Sequence, residues 1–327
     1  MIEIRSEQIF SIRTKEEFED VALRLFRFQA DSCAVYRAFI ENLRIDPNRV
    51  KRLDEIPFLP VEFFKNHSII KENASPEITF TSSGTTGMQQ SRHQVSDVSL
   101  YETSFRKGFE FFYGNIEKYA LLALLPSYLE REGSSLIYMT DDLIKSAGTP
   151  SGYFLHNYEE LYNTLRELQN QQKPVILIGV TYALLDFIEK YQLSFPDLIV
   201  METGGMKGKR KEMIREELHQ ALCEGFGVSS IHSEYGMTEL LSQAYSKVSG
   251  VFRCPPWMNV LIRDTNDPLT VLPENRTGGI NVIDLANLNS CSFIATQDLG
   301  KKFTNGSFEV LGRFDNSDIR GCNLLVQ

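Results

Sequence analysis

Three short apolar runs constrain the fold of this chain more than any other feature. They are Tyr119-Ala-Leu-Leu-Ala-Leu-Leu125, Pro174-Val-Ile-Leu-Ile-Gly-Val180 and Asp197-Leu-Ile-Val-Met201. None alternates polar with apolar residues, so each needs cover on both faces, the environment of a strand inside a parallel sheet. The intervening segments Tyr158 to Gln171, Tyr182 to Tyr191 and Gly208 to Glu224 are predicted helices that supply the cover.

Upstream, Thr14-Lys-Glu-Glu17 is a capping box, in which hydroxyl and carboxylate each serve the other residue's free backbone N–H. It opens an amphipathic helix through Phe28, and a second helix is predicted over Ser32 to Asn42. The extended, proline-marked stretch Ile56-Pro-Phe-Leu-Pro60 leads to a strand over Glu77 to Phe80, and a further helix is predicted from Ser96 to about Phe112. From about Met258 the rhythm changes to short strands and turns: MNVLIRD, GGINVIDLAN, CSFIAT and GSFEVLGR. The expected fold class is α/β, with layered, largely parallel sheets flanked by helices and a β-rich subdomain over about 250–312. One domain is expected over 1–312, followed by a hinge-like segment and short tail over 313–327.

Composition excludes several functions. With 42% hydrophobic and 24% charged residues among 327, the chain is globular rather than disordered or fibrous. Its formal charge of -9 repels a nucleic-acid backbone, so no nucleic-acid partner is expected. The one basic run, Lys207-Gly-Lys-Arg-Lys211, reads as a solvated helix face more readily than as an anion site. The amino-terminal MIEIRSEQIFSIRTKEEF lacks the apolar core of a signal peptide, and no window approaches a membrane span, so a cytoplasmic location is expected. Five widely spaced cysteines, Cys33, Cys223, Cys254, Cys291 and Cys322, read as free thiols.

The segment Phe80 to Arg92, FTSSGTTGMQQSR, contains seven consecutive residues that are only serine, threonine or glycine. Such a run has almost no apolar surface to bury, so it is either a slack linker or a loop shaped around something. Its place between a strand and a later helix favours the loop. Glycines let successive N–H groups turn inward, hydroxyls add donors, and a ring of uncharged donors suits a polyphosphate. The Walker A pattern is absent.

TSSGTTG at 81–87, EYGMTE at 234–239, TQDLG at 296–300 and GRFDNSDIRG at 312–321 occur in an order that resembles the adenylate-forming (ANL) superfamily of acyl-CoA synthetases, luciferases and related ligases. RLDEIPFLPVEFFKNH at 52–67 resembles the phenylacetate-CoA ligase branch. METGGMKGK at 201–209 and the ending RGCNL at 320–324 are similar to the LuxE-type acyl-protein synthetases.

The resemblance implies that ATP and a carboxylic acid react to an acyl-adenylate, a chemistry dominated by charge neutralisation around phosphates. It implies that Ser83, Gly84, Thr85, Thr86 and Gly87 hold the β- and γ-phosphates, that Thr238 contacts the α-phosphate, and that Glu239 helps bind Mg2+. By the same resemblance Tyr235, followed by Gly236, is expected against adenine, with Gly204 and Gly205 lining the same pocket. The resemblance likewise implies that Asp298 takes the ribose hydroxyls and that Arg313 reaches ribose or phosphate. Taken singly, Tyr235-Gly236 could equally form a turn and Asp298 cap one. His232 is a secondary candidate for substrate contact.

Two departures from the family pattern stand out. Gln89 and Gln90 occupy the place of a proline and lysine that follow the loop in most relatives, which leaves Arg92 as the source of positive charge. The chain also stops at Gln327, 12 residues beyond Asp315, so the mobile domain of such synthetases, with its lysine, has no counterpart. Cys322, between Gly321 and Asn323, is then the expected acyl acceptor, as in LuxE-type enzymes that pass the acyl group to a reductase or other acceptor protein. The bland alternative is a small hydrophobe packed beside Leu324 and Leu325. The expected function is activation of a carboxylic, by resemblance fatty, acid and its transfer to a protein cysteine. A truncated acyl-CoA synthetase and a non-catalytic nucleotide- or acyl-binding module are the alternatives.

Overall fold

All three doubly apolar runs are buried strands of one parallel array. The computed structural model describes residues 4–82, 89–125, 133–155, 157–204, 210 and 213–313. The chain divides into two compact units: Met1–Ser104, Thr238–Ser242 and Arg253–Gln327 form the first, Phe105–Met237 and Gln243–Phe252 the second.

In the second unit the strands run in the order Gly148–Tyr153, Ala120–Leu124, Val175–Val180, Ile199–Thr203, His232–Tyr235 and Ala244–Ser246. The first five are parallel and the last is antiparallel to its neighbour. Ala120–Leu124 and Val175–Val180 are buried at every position, as their unbroken apolar sequence requires. Helix Tyr158–Asn170 buries Leu161, Leu165 and Leu168, one stripe of a 3.6-residue repeat. The helix expected from Gly208 begins only at Arg215, where Glu216 and Glu217 place negative charge in the first turn. Arg210 of the basic run is committed to ion pairs with Asp186 and Glu189, so it is not a free solvated charge. That helix ends at Gly227 with φ 69°, and a Cβ there would lie 2.6 Å from the Ser194 Cα.

The first unit pairs two amino-terminal helices with a carboxy-terminal antiparallel meander. Helix Lys15–Ser32 starts at the expected capping box: the Glu17 N–H donates to the Thr14 hydroxyl at 3.2 Å, and the Thr14 N–H to the Glu17 carboxylate at 3.2 Å. Helix Ala34–Asn42 follows after the buried Cys33, which separates the two. The meander runs Met258–Arg263, Thr277–Asp284, Phe293–Lys302 and Phe308–Arg313. Leu59–Pro60 adds in parallel to Ile294 and Ala295, so the proline-marked stretch is a short edge strand, where a missing N–H is tolerated. Phe26, Tyr36 and Phe293 pack ring to ring, and the Tyr36 hydroxyl donates to the Pro57 carbonyl at 2.7 Å.

One expectation is corrected. The Ser/Thr/Gly run does not simply join a strand to a helix: Ile78–Thr81 pairs antiparallel with Arg92–Val95, and helix Val98–Tyr113 comes only after this return strand. The sequence RHQV lacked an apolar alternation strong enough to show it, because only His93 and Val95 are buried and one of them is polar.

Candidate functional site

The five residues Thr238–Ser242 are gripped from several parts of the first unit. The Thr238 carbonyl accepts from His93 Nδ1 at 3.0 Å. The Glu239 carbonyl accepts from Asn287 Nδ2 at 2.9 Å. Farther along, the N–H groups of Leu241 and Ser242 donate to Asp284 Oδ2 at 2.7 and 2.9 Å, and the Ser242 hydroxyl donates to Oδ1 at 2.5 Å. Burial raises the Asp284 pKa to about 6 against these hydrogen bonds, which favour the carboxylate, so the group is largely ionised at neutral pH.

Glu239 is 5% exposed, and burial raises its pKa while a hydrogen bond from Ser91 opposes the shift. The Arg313 and Lys65 charges also act on this carboxylate. Arg313 in turn lies 3.5 Å from Asp298, with the arginine exposed and the aspartate nearly buried. The first unit thus brings together Thr238, Glu239, Asp298 and Arg313. The Glu239 carboxylate also has a backbone hydrogen bond, and its chemistry suits one oxygen ligand of a hard cation whose other ligands come from phosphates; among the described residues no cluster of three or more histidine, cysteine or acidic side chains is placed to hold a metal.

His93 is wholly buried, and loss of hydration lowers its pKa to about 4. A carbonyl only accepts, so Nδ1 carries the proton to Thr238 and Nε2 accepts from the Ser290 hydroxyl, 3.1 Å away. Arg92, next to it on the strand, is exposed.

In the second unit, candidate residues sit at the carboxyl ends of two adjacent parallel strands, the edge where open α/β sheets place ligands. Thr203 pairs with Glu234, which puts Gly204 and Tyr235 at the next step of each strand. The Thr181 hydroxyl donates to the Gly204 carbonyl at 3.3 Å, and the Thr203 hydroxyl to Glu234 at 2.5 Å. The Glu234 carboxylate packs so closely on the backbone after the strand that a Cβ on Gly236 would lie 2.4 Å from its Oε1. Lost hydration raises the Glu234 pKa to about 7. His232 accepts the Tyr113 hydroxyl at Nδ1, 3.1 Å away, and burial followed by the Lys247 charge lowers its pKa to about 4. This hydrogen bond gives His232 a partner within the fold. The same unit holds a small apolar cavity lined by Phe109, Leu121, Met139, Leu143, Ile178 and Tyr245 among others.

Ser83, Gly84, Thr85, Thr86 and Gly87, Gly205 and Cys322 lie outside the described residues. At the mouth of the hairpin, the Ser82 N–H donates to the Ser91 carbonyl at 3.1 Å and the Ser91 N–H to the Ser82 hydroxyl at 2.9 Å. Among the other cysteines, Cys33 and Cys291 are buried, while Cys223 and Cys254 are half-buried. Sequence reasoning missed His93, Asp284 and Asn287. Their partners lie 145, 42 or more and 48 residues away in sequence, so no local pattern marks them.

The family model "Acyl-protein synthetase, LuxE" matches residues 127–327. No curated protein matches the chain. The fold is similar to that of 2-hydroxyisobutyryl-CoA ligase in its postadenylation state with 2-HIB-AMP, with TM-score 0.70, 12% identity, and coverage of 95% of this chain and 70% of that one. It is also similar to ATP-bound MatB from Rhodopseudomonas palustris, with TM-score 0.55, 17% identity and coverage of 72% of this chain and 47% of that one. The chain therefore spans about half the length of the MatB structures it matches. Among the described residues, no helix is long and apolar enough to cross a membrane.

Proposed function

The chain belongs to the LuxE acyl-protein synthetase family, and on that premise we propose that it activates a carboxylic acid with ATP and passes the acyl group to Cys322. The observation that carries this reading is the extent of the family match, which includes EYGMTE, TQDLG, GRFDNSDIRG and the RGCNL ending. In the first step a carboxylate oxygen attacks the α-phosphorus of ATP and pyrophosphate leaves. In the second, the Cys322 thiolate attacks the acyl carbon, a C–S bond forms, and AMP leaves with the C–O bonding pair.

Ser83 to Gly87 hold the outer phosphates, Arg92 supplies positive charge, and Thr238 contacts the α-phosphate. Tyr235, Gly236, Gly204 and Gly205 take adenine, while Asp298 and Arg313 take ribose and phosphate. Glu239 would hold Mg2+, which neutralises phosphate charge when bound. The fatty character of the acid follows from the resemblance to LuxE-type enzymes, and the panel of acids below tests it. A reductase or other acceptor protein then takes the acyl group, in keeping with a soluble setting in the cytoplasm.

Intact-protein mass after incubation with ATP, Mg2+ and a panel of acids from acetate to palmitate tests this, beside Cys322→Ala. The expected product is an added acyl mass that hydroxylamine removes and the variant lacks. Acyl-CoA formation on addition of CoA, without any protein adduct, would point to a CoA ligase instead.

A further inference from the structure

We propose that His93 is a positioning residue that aims Thr238 and Glu239 during acid activation; the inference rests on the reading above. Because the peptide bond is planar and trans, fixing the Thr238 carbonyl also fixes the Glu239 N–H on the opposite edge of the same plane. His93 Nδ1 fixes that carbonyl. The next carbonyl, of Glu239, is fixed by Asn287, and the following free N–H groups, of Leu241 and Ser242, are fixed by Asp284. Four peptide planes in a row are thereby held from behind, and His93 holds the first of them.

The ring is placed for this role and for little else. It is 0% exposed, stands edge to face with Phe64 at 5.5 Å, and spends its second nitrogen on Ser290. It exchanges no proton with solvent or substrate and serves as a rigid strut between Ser290 and Thr238. Ser91, directly before the strand Arg92–Val95, and His93 on it are both buried, and each reaches a member of the Thr238-Glu239 pair: Ser91 the Glu239 side chain, His93 the Thr238 backbone. One three-residue segment therefore holds both residues.

Three variants separate the two nitrogens. In His93→Asn the amide nitrogen falls where Nδ1 was and keeps the bond to Thr238; in His93→Gln it falls where Nε2 was and loses it; Ser290→Ala removes only the second contact. Acid-dependent ATP–pyrophosphate exchange and the rise in melting temperature caused by MgATP are measured for each, with melting curves as the folding control. The expected result is exchange within about threefold of wild type for His93→Asn and Ser290→Ala. For His93→Gln, kcat falls at least about tenfold, the equivalent of one lost hydrogen bond in the transition state, with a smaller change in the KM for MgATP.

Equal losses in His93→Asn and His93→Gln, or none in either, overturn the proposal while wild-type exchange leaves the activation reading intact. If wild type binds MgATP but exchanges with no acid, that reading falls and the positioning role in activation falls with it. Wild type without exchange or a MgATP-induced rise overturns both.

Discussion

Gln29 offers the sharpest test of how the first unit holds together. It is 1% exposed on helix Lys15–Ser32, and its side chain is engaged at both ends. Its Nε2 donates to the carbonyls of Asn287 and Leu288 at 2.8 and 3.1 Å and to the Ser292 hydroxyl at 3.1 Å, while its Oε1 accepts the Ser292 N–H at 2.9 Å. Gln29→Met preserves length and nearly preserves volume, so the cavity contribution is small. The Ser292 N–H is then buried without an acceptor, at a cost of about 2 kcal/mol, and the Leu288 carbonyl loses its donor for about 1 more. The Asn287 carbonyl keeps the Ser290 N–H and adds little. Better burial of the thioether offsets about 1 kcal/mol, which leaves a net loss of about 2 kcal/mol. With an unfolding entropy of about 0.7 kcal/mol/K for a chain of this size, the melting temperature falls by about 3 °C. Urea unfolding and differential scanning calorimetry measure it. A variant as stable as wild type would refute the premise that these four hydrogen bonds outweigh apolar packing at this position.

Four further outcomes are expected. Glu239→Gln removes the carboxylate proposed to hold Mg2+ and abolishes exchange while the melting curve without nucleotide stays unchanged or rises; persistent Mg2+-dependent exchange would contradict its role. The raised pKa of Glu234 means that the fold favours its neutral form, so its contribution is complete below the ordinary carboxylate pKa and is lost as pH rises through about 7. Glu234→Gln should therefore gain stability over wild type at pH 8, by at most about 3 kcal/mol, and none at pH 4. His232, with its pKa near 4, contributes stability that is present above pH 6.5 and lost as pH falls toward 4; an NMR titration midpoint above 6 would contradict its burial. Gly225→Ala places a Cβ 2.5 Å from the Ile188 Cβ and should cost about 1–2 kcal/mol after the helix-propensity gain, read by urea unfolding; a variant as stable as wild type would rule out that contact.

What the sequence makes legible is what local chemistry decides. The Thr14 capping box and the unbroken apolar strands need only neighbours a few residues away, and each forms where expected. The strand Arg92–Val95 was missed because its buried members are a histidine and a valine, and a buried histidine looks polar until its partners are known. For the site, EYGMTE and TQDLG mark Thr238, Glu239 and Asp298 through resemblance alone. What fixes those residues in place is a set of hydrogen bonds from Ser91, His93, Asp284 and Asn287 that depends on tertiary proximity. Chemistry was thus readable at the residues proposed to meet substrate, and the support behind them was not.

The interrupted makeup of the first unit has a consequence for biosynthesis. Gln29 waits for residues 287–292, Leu59–Pro60 for Ile294 and Ala295, and His93 for Thr238 and Ser290. At a translation rate of about 5–20 residues per second, the amino-terminal helices emerge on the order of ten to forty seconds before the strands that cover them. The second unit draws all its residues from 105–252 and has its strands available first. A nascent chain paused before residue 280 is therefore expected to expose Phe26, Tyr36 and their neighbours, and to depend on chaperones for as long as the pause lasts.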